Sequence, residues 1–127
     1  MSPAVQGVMT TNKPRVLVVD DRREIREAVS RVLRRRFQTV AVKNVDEGLA
    51  QLETEQFDAI ISDMEMGPGR NGVQFYQEVE RAHPALADRF ILFTGSEELA
   101  KGQVPLIVSK GGDANLLIAV LDEILPV

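Results

Sequence analysis

Phe57 to Gly72 read FDAIISDMEMGPGRNG, and this stretch decides the fold. Ala59, Ile60 and Ile61 form an apolar run too short for a buried helix and rich in β-branched residues, the pattern of a strand buried on both faces. Asp63 follows at the C-terminal end of that strand. Gly67, Pro68, Gly69, Asn71 and Gly72 then mark a loop with permissive backbone. Ligands of open α/β sheets bind along that edge. Taken alone, Asp63 reads equally well as a turn-forming residue and as a site residue, and the rest of the chain has to decide between them.

The same grammar recurs on either side. Upstream, Arg15 to Val19 (RVLVV) is a buried strand that ends in Asp20 and Asp21; where the chain turns beyond a strand end, both carboxylates can enter one crevice. Ile25, Ala28, Val29, Val32, Leu33 and Phe37 recur at threes and fours and predict an amphipathic helix from Arg23 to Phe37. The seven arginines between 22 and 36 read first as its solvated face, with an acidic partner surface as the lesser alternative. Thr39 to Val42 is a second strand. Asn44 and Glu47 have the spacing of a capping box opening a helix that faces the core with Leu49 and Leu52.

Downstream, Val73, Phe75, Tyr76, Val79 and Ala82 mark a third helix that stops before Pro84, with His83 in a capping or exposed role at its end. Phe90 to Phe93 is a fourth strand ending in Thr94. GSEELAKGQ, residues 95 to 103, offers one or two helical turns before a short fifth strand, Leu106 to Val108, which ends in Ser109 and Lys110. A closing helix runs from Asp113 as N-cap to Leu125, with Ala114, Leu117, Ile118, Leu121, Ile124 and Leu125 toward the core and Leu116 and Val120 on another flank.

Alternating strands and helices predict an α/β fold, a doubly wound five-stranded parallel sheet with helices on both faces. A chain of 127 residues makes one domain. With 44% hydrophobic and 27% charged residues it has a globular composition, and no apolar run approaches the roughly 20 residues of a membrane span. It contains no cysteine and a single histidine, which excludes disulfides, thiolate chemistry and zinc sites built on either. The net charge of −4 argues against a nucleic-acid partner, and neither nucleic acid nor a membrane is expected. Residues 1–13, MSPAVQGVMTTNK, lack the parts of a signal peptide and read as a flexible leader or expression remnant, leaving 14–127 as the domain and the cytoplasm as its expected location.

In a parallel sheet the C-terminal strand ends share one edge, so Asp20, Asp21, Asp63, Thr94 and Lys110 are expected together. One site explains all five, whereas capping would have to be invoked for each separately. Three carboxylates that close repel one another by about 4 kcal/mol per pair at ~4 Å and an effective dielectric of about 20, so they call for a cation. Oxygen ligands alone, with no EF-hand spacing, suit Mg²⁺. The Thr94 hydroxyl and the Lys110 ammonium add what is needed to hold a phosphoryl group, and Asp63 is then a nucleophile that forms an aspartyl phosphate.

From about Pro14 to Leu125 the chain resembles the response-regulator receiver domains of two-component signalling. The resemblance rests on the acid pair after the first strand, SDMEM with Gly72 after the third, TG after the fourth and SK after the fifth. It implies a flavodoxin-like sheet of order 2-1-3-4-5. It further implies Mg²⁺ held by Asp20, Asp21, Asp63 and the main-chain carbonyl of Glu65, phosphoryl transfer to Asp63 from a histidine kinase or histidine phosphotransfer domain, and Thr94 and Lys110 on the phosphoryl oxygens. The function implied is that of a signalling receiver rather than an enzyme, with self-catalysed phosphoryl transfer and autodephosphorylation only. Three features depart from the family pattern: Gly111 replaces the proline, usually in a cis bond, that follows the lysine; Ile107 replaces the aromatic residue three positions before it; and the fourth helix is shortened or absent. The last departure resembles receivers at the C-terminus of hybrid histidine kinases. Two other readings stay open: a pseudo-receiver acting as an unphosphorylated interaction module, and a phosphohydrolase with an aspartyl nucleophile, which would normally carry an aspartate where Glu65 stands.

Overall fold

The computed structural model describes residues 13–125. Its strands are β1 (Arg15–Val19), β2 (Gln38–Val42), β3 (Ala59–Ser62), β4 (Phe90–Thr94) and β5 (Ile107–Ser109). All neighbours pair in parallel, in the order β2-β1-β3-β4-β5, which is the flavodoxin-like receiver order. The helices are α1 (Arg23–Leu33), α2 (Val45–Thr54), α3 (Gly72–Ala82), the single turns α4 (Pro84–Ala87) and α5 (Glu97–Ala100), and α6 (Asn115–Ile124).

Period-two alternation along the central strands divides the core between the faces of the sheet. Leu17, Val19, Ile60 and Leu92 pack with Leu52 of α2 and with Phe75 and Val79 of α3. On the other face Val16, Val18, Ile61 and Ile91 meet Val29 and Leu33 of α1 and Leu117 and Leu121 of α6. This two-sided cover is why β3 has no polar face: all four of its residues are buried. Phe90 sits edge-on to Phe75 and Tyr76, with ring centroids 5.5 and 5.3 Å apart, and locks α3 to the sheet.

Several local expectations shift. α1 stops at Leu33, because Arg34 to Arg36 form a turn that carries Phe37 separately into the core. Ala28 and Ala82 lie exposed: a methyl group stabilises too little by burial to fix which way a helix faces. Asn44 caps α2 by accepting the Glu47 N–H at 2.8 Å, but the returning Glu47 side chain accepts from Lys43 N–H instead, so the box is displaced by one residue. A complete capping box opens α3, between Asn71 and Gln74. Asp113 accepts the Asn115 N–H one residue before the α6 N-cap, Ala114, whose side chain cannot cap. Val120 packs against the core while Leu116 stays exposed. The Pro84 turn after α3 went unforeseen, although proline at the first helical position favours it. The leader assigned to residues 1–13 lies outside the described residues, Lys13 excepted.

Candidate functional site

All five strands run parallel, and the C-terminal ends of β1, β3, β4 and β5 bring Asp20 with Asp21, Asp63, Thr94 and Lys110 to the same edge. Asp20 remains anchored to the sheet by its N–H to Val42 O at 3.1 Å, and Asp63 by its N–H to Val19 O at 2.8 Å. Both are buried, at 2% and 7% exposure, whereas Asp21 is open to solvent. One carboxylate oxygen from each of Asp20, Asp21 and Asp63 lies within 4.8 Å of the other two. The adjacent acids therefore do converge with the third, as the turn after β1 predicts.

Lys110 reaches this cluster from the end of β5. Its Nζ lies 3.0 Å from Asp20 Oδ2 and 3.1 Å from Asp63 Oδ1, and 5.8 Å from the centroid of the Phe93 ring. The base of the lysine is fixed by its N–H to Thr94 O at 2.9 Å, and the Lys110–Gly111 bond is trans, no cis peptide occurring among the described residues. Thr94 is buried at the end of β4, and its Oγ1 accepts the Ser96 N–H at 2.9 Å. Glu65 is exposed in the loop that follows Asp63.

The loop between β3 and α3 is shaped by backbone needs. Gly67 and Gly69 adopt φ of +43° and +103°, conformations that side chains strain. Gly72 has a different reason: its N–H donates to Met64 O at 2.7 Å, and a Cβ there would overlap the Asp63 carbonyl and come within 2.7 Å of Leu92 Cδ1. The start of α3 is thereby pressed against the chain beside Asp63.

The electrostatics are those of a site short of positive charge. Burial, and then the Asp20 charge, raise the pKa of Asp63 above that of an ordinary aspartate; the hydrogen bond and charge of Lys110 and the Met64 N–H, 2.8 Å from Oδ1, only partly oppose this. Burial works against the charge of Lys110, but hydrogen bonds to Asp20 and Asp63 outweigh it and raise its pKa. One ammonium thus serves two buried carboxylates.

Four contributors escaped the sequence reading, the first being the Arg22 N–H, which donates to Asp20 Oδ1 at 2.9 Å. Ser62, fully buried, donates from Oγ to the Asp63 carbonyl at 2.8 Å. The Met64 main chain holds Asp63 Oδ1. Arg26 donates from Nη1 to the Asp20 carbonyl at 2.8 Å, tying α1 to the loop that carries the acid pair. Arg26 had a legible signal, since it stands one helical turn after the loop; main-chain donors have none.

The chain matches the family profile described as response regulator receiver domain over residues 16–117. It belongs to that family. The hydrogenase transcriptional regulatory protein HoxA of Cupriavidus necator is 33% identical over 96 residues, which cover 74% of this chain but 20% of the relative; the chain thus spans about a fifth of that protein's length. The structure of the response regulator TrrA from Thermotoga maritima, determined in complex with Mg²⁺ and BeF, superposes with a TM-score of 0.76 at 26% identity, covering 88% of this chain and 99% of that one. The chemotaxis response regulator CheY4 of Vibrio cholerae shares the fold, with a TM-score of 0.75 at 24% identity over 90% of this chain and all of that one. No helix among the described residues is long and apolar enough to cross a membrane.

Proposed function

We propose that this receiver is a phosphoacceptor in a histidine-to-aspartate relay, with Asp63 as the acceptor. The observation that carries the reading is Lys110 Nζ held between Asp20 and Asp63 while Asp21 completes the carboxylate cluster. One ammonium between two buried acids, with a third carboxylate beside them, leaves negative charge that a bound cation would balance.

An Asp63 oxygen attacks the phosphorus of a phosphohistidine in line. As the O–P bond forms the P–N bond breaks, and its electron pair returns to the donor imidazole. The Met64 N–H and Lys110 keep the nucleophile aimed by holding Asp63 Oδ1, and Lys110 remains beside the transferred oxygens, where its charge offsets theirs. The Thr94 hydroxyl stands at the neighbouring strand end to accept or donate a hydrogen bond as that charge arrives. Bound by Asp20, Asp21, Asp63 and the Glu65 main-chain carbonyl, Mg²⁺ would neutralise the acids and polarise the phosphoryl group. The all-oxygen donors and their spacing fit such an ion, and the TrrA complex supports the assignment. Water later cleaves the acyl phosphate and restores Asp63, so the chemistry serves signalling rather than turnover of a metabolite.

The test is intact mass after incubation with acetyl phosphate, with and without Mg²⁺. A gain of one phosphoryl group that requires the metal is expected. An unchanged mass would overturn the reading in favour of an unphosphorylated module, and continuous phosphate release without a detectable adduct would favour a hydrolase.

A further inference from the structure

Apart from Arg26 and the main-chain N–H of Arg22, which donates to Asp20 Oδ1 at 2.9 Å, the arginines between 22 and 36 have no part in the carboxylate site. Seven of the chain's fifteen basic residues fall between 22 and 36, against two of its nineteen acids. A solvated helix face accounts for their exposure, but not for their arrangement. Arg23, Arg26 and Arg31 share one stripe of α1 that Arg34, its C-cap, continues, and β2 is an edge strand of the sheet. The stripe and Ala41 of β2 line an open groove of about 380 Å³.

The charge in that groove is largely unspent. Its one acid, Glu27, is taken by Arg23 at 2.9 Å. Arg26 donates to a neutral carbonyl and keeps its charge. Arg31 and Arg34 have no carboxylate partner among the described residues, whereas Arg15, Arg22, Arg23, Arg36, Arg70 and Arg81 each have one. The groove opens at the β2 margin, and the end that holds Arg31 and Arg34 runs away from Asp20.

We propose that the α1–β2 groove docks an acidic segment of a partner protein, whose carboxylates pair with Arg31 and Arg34. The planar guanidinium fork matches a carboxylate in bidentate geometry. A helix of eleven residues is about 16 Å long, which about five extended residues would span, so a short acidic run suffices. Nucleic acid fits less well. The lining offers no aromatic ring on which a base could stack, and the remaining seventeen acids against eight basic residues repel a long polyanion. The inference is independent of the phosphoacceptor reading.

The probes are hexaglutamate and, for comparison, a thymidine hexanucleotide, each titrated into the isotope-labelled full chain while amide resonances are followed. Hexaglutamate should shift amides of residues 26–34 and Ala41, and the Arg31→Glu/Arg34→Glu variant should weaken its binding by about tenfold or more. The unperturbed amide spectrum elsewhere in that variant is the control for folding; should the charge reversal unfold the chain, Arg31→Gln/Arg34→Gln replaces it with the same expected direction. Absence of hexaglutamate binding, shifts centred away from the groove, indifference to the substitutions, or equal or tighter binding of the hexanucleotide would each overturn the proposal.

Discussion

The two edges of the sheet carry similar residues to opposite ends. At the N-terminal edge Arg15 donates its N–H to Asp58 Oδ2 and its Nη1 to Glu55 Oε1, both at 2.8 Å, and the guanidinium lies 4.9 Å from the Phe57 ring centroid. Lys110 likewise meets two acids and lies near Phe93, but those acids are buried and a third, Asp21, stands beside them. At the lower edge Arg15 holds both of its acids by hydrogen bonds and the result is a staple. At the upper edge negative charge is in excess. A cluster that folds with its charges unbalanced is one that a ligand must complete, and this contrast separates site from scaffold better than residue identity does.

The largest expected effect is on phosphorylation. Asp63→Asn should abolish labelling by acetyl phosphate, because the amide is no nucleophile. Asp58→Asn, at the opposite edge, should label like the parent and lose only about 1 kcal/mol of stability with its hydrogen bond to Arg15 N–H. Labelling of Asp63→Asn, or its loss in Asp58→Asn, would erase the distinction between the edges. Both variants are read by intact mass, and stability by urea unfolding.

Next in size is Gly72→Ala. Because its Cβ would overlap the Asp63 carbonyl and crowd Met64 and Leu92, overpacking of about 1–3 kcal/mol is expected together with slower labelling. Gly69→Ala, where the cost is backbone strain in open space, should lose less and leave the rate alone. If urea unfolding ranks the two the other way round, the close approach of α3 to Asp63 is not what fixes the loop.

Much of this was legible in the sequence, for reasons that residues make plain. RVLVV, AIIS and FILF announce strands because they lack a polar face, and each is followed at once by the group it delivers: Asp20, Asp63, Thr94. Strand ends transmit position faithfully, since a parallel ladder fixes both register and direction. Helix ends do not. Ala28, Ala82 and Asp113 were misplaced because a methyl group and a short acid adapt to several neighbours at little cost. Ser62, the Met64 N–H and the Arg26 contact with the Asp20 carbonyl depend on where the main chain passes, which no side-chain pattern encodes.

A smaller effect concerns protons. In the metal-free protein Asp63 should titrate above the ordinary aspartate value of about 3.9. Since the folded state then binds that proton more tightly than the unfolded state, this group adds stability as pH falls through its raised pKa toward the ordinary value, and it costs stability above that window. Carboxyl-carbon NMR titration measures the shift directly. An Asp63 that titrates at or below the ordinary value would mean that Lys110 already balances the cluster.

The smallest expected change is in readout. Ile107, half-buried against the α3 side of the core, offers no ring to rotate, and α5 is one turn long. Beryllofluoride, a phosphoryl mimic, should therefore alter hydrogen exchange mainly in 65–72 and 95–103. Changes centred on Ile107 and α6 with those loops unaffected would contradict this.

Which carboxylate receives the phosphoryl group decides whether the upper edge is the site. After acetyl phosphate and Mg²⁺, borohydride reduction converts an aspartyl phosphate to homoserine, and peptide mass spectrometry locates it. Homoserine at position 63 alone is the predicted result; homoserine at 58, at 20 or 21, or at no position despite a phosphorylated intact mass would contradict it.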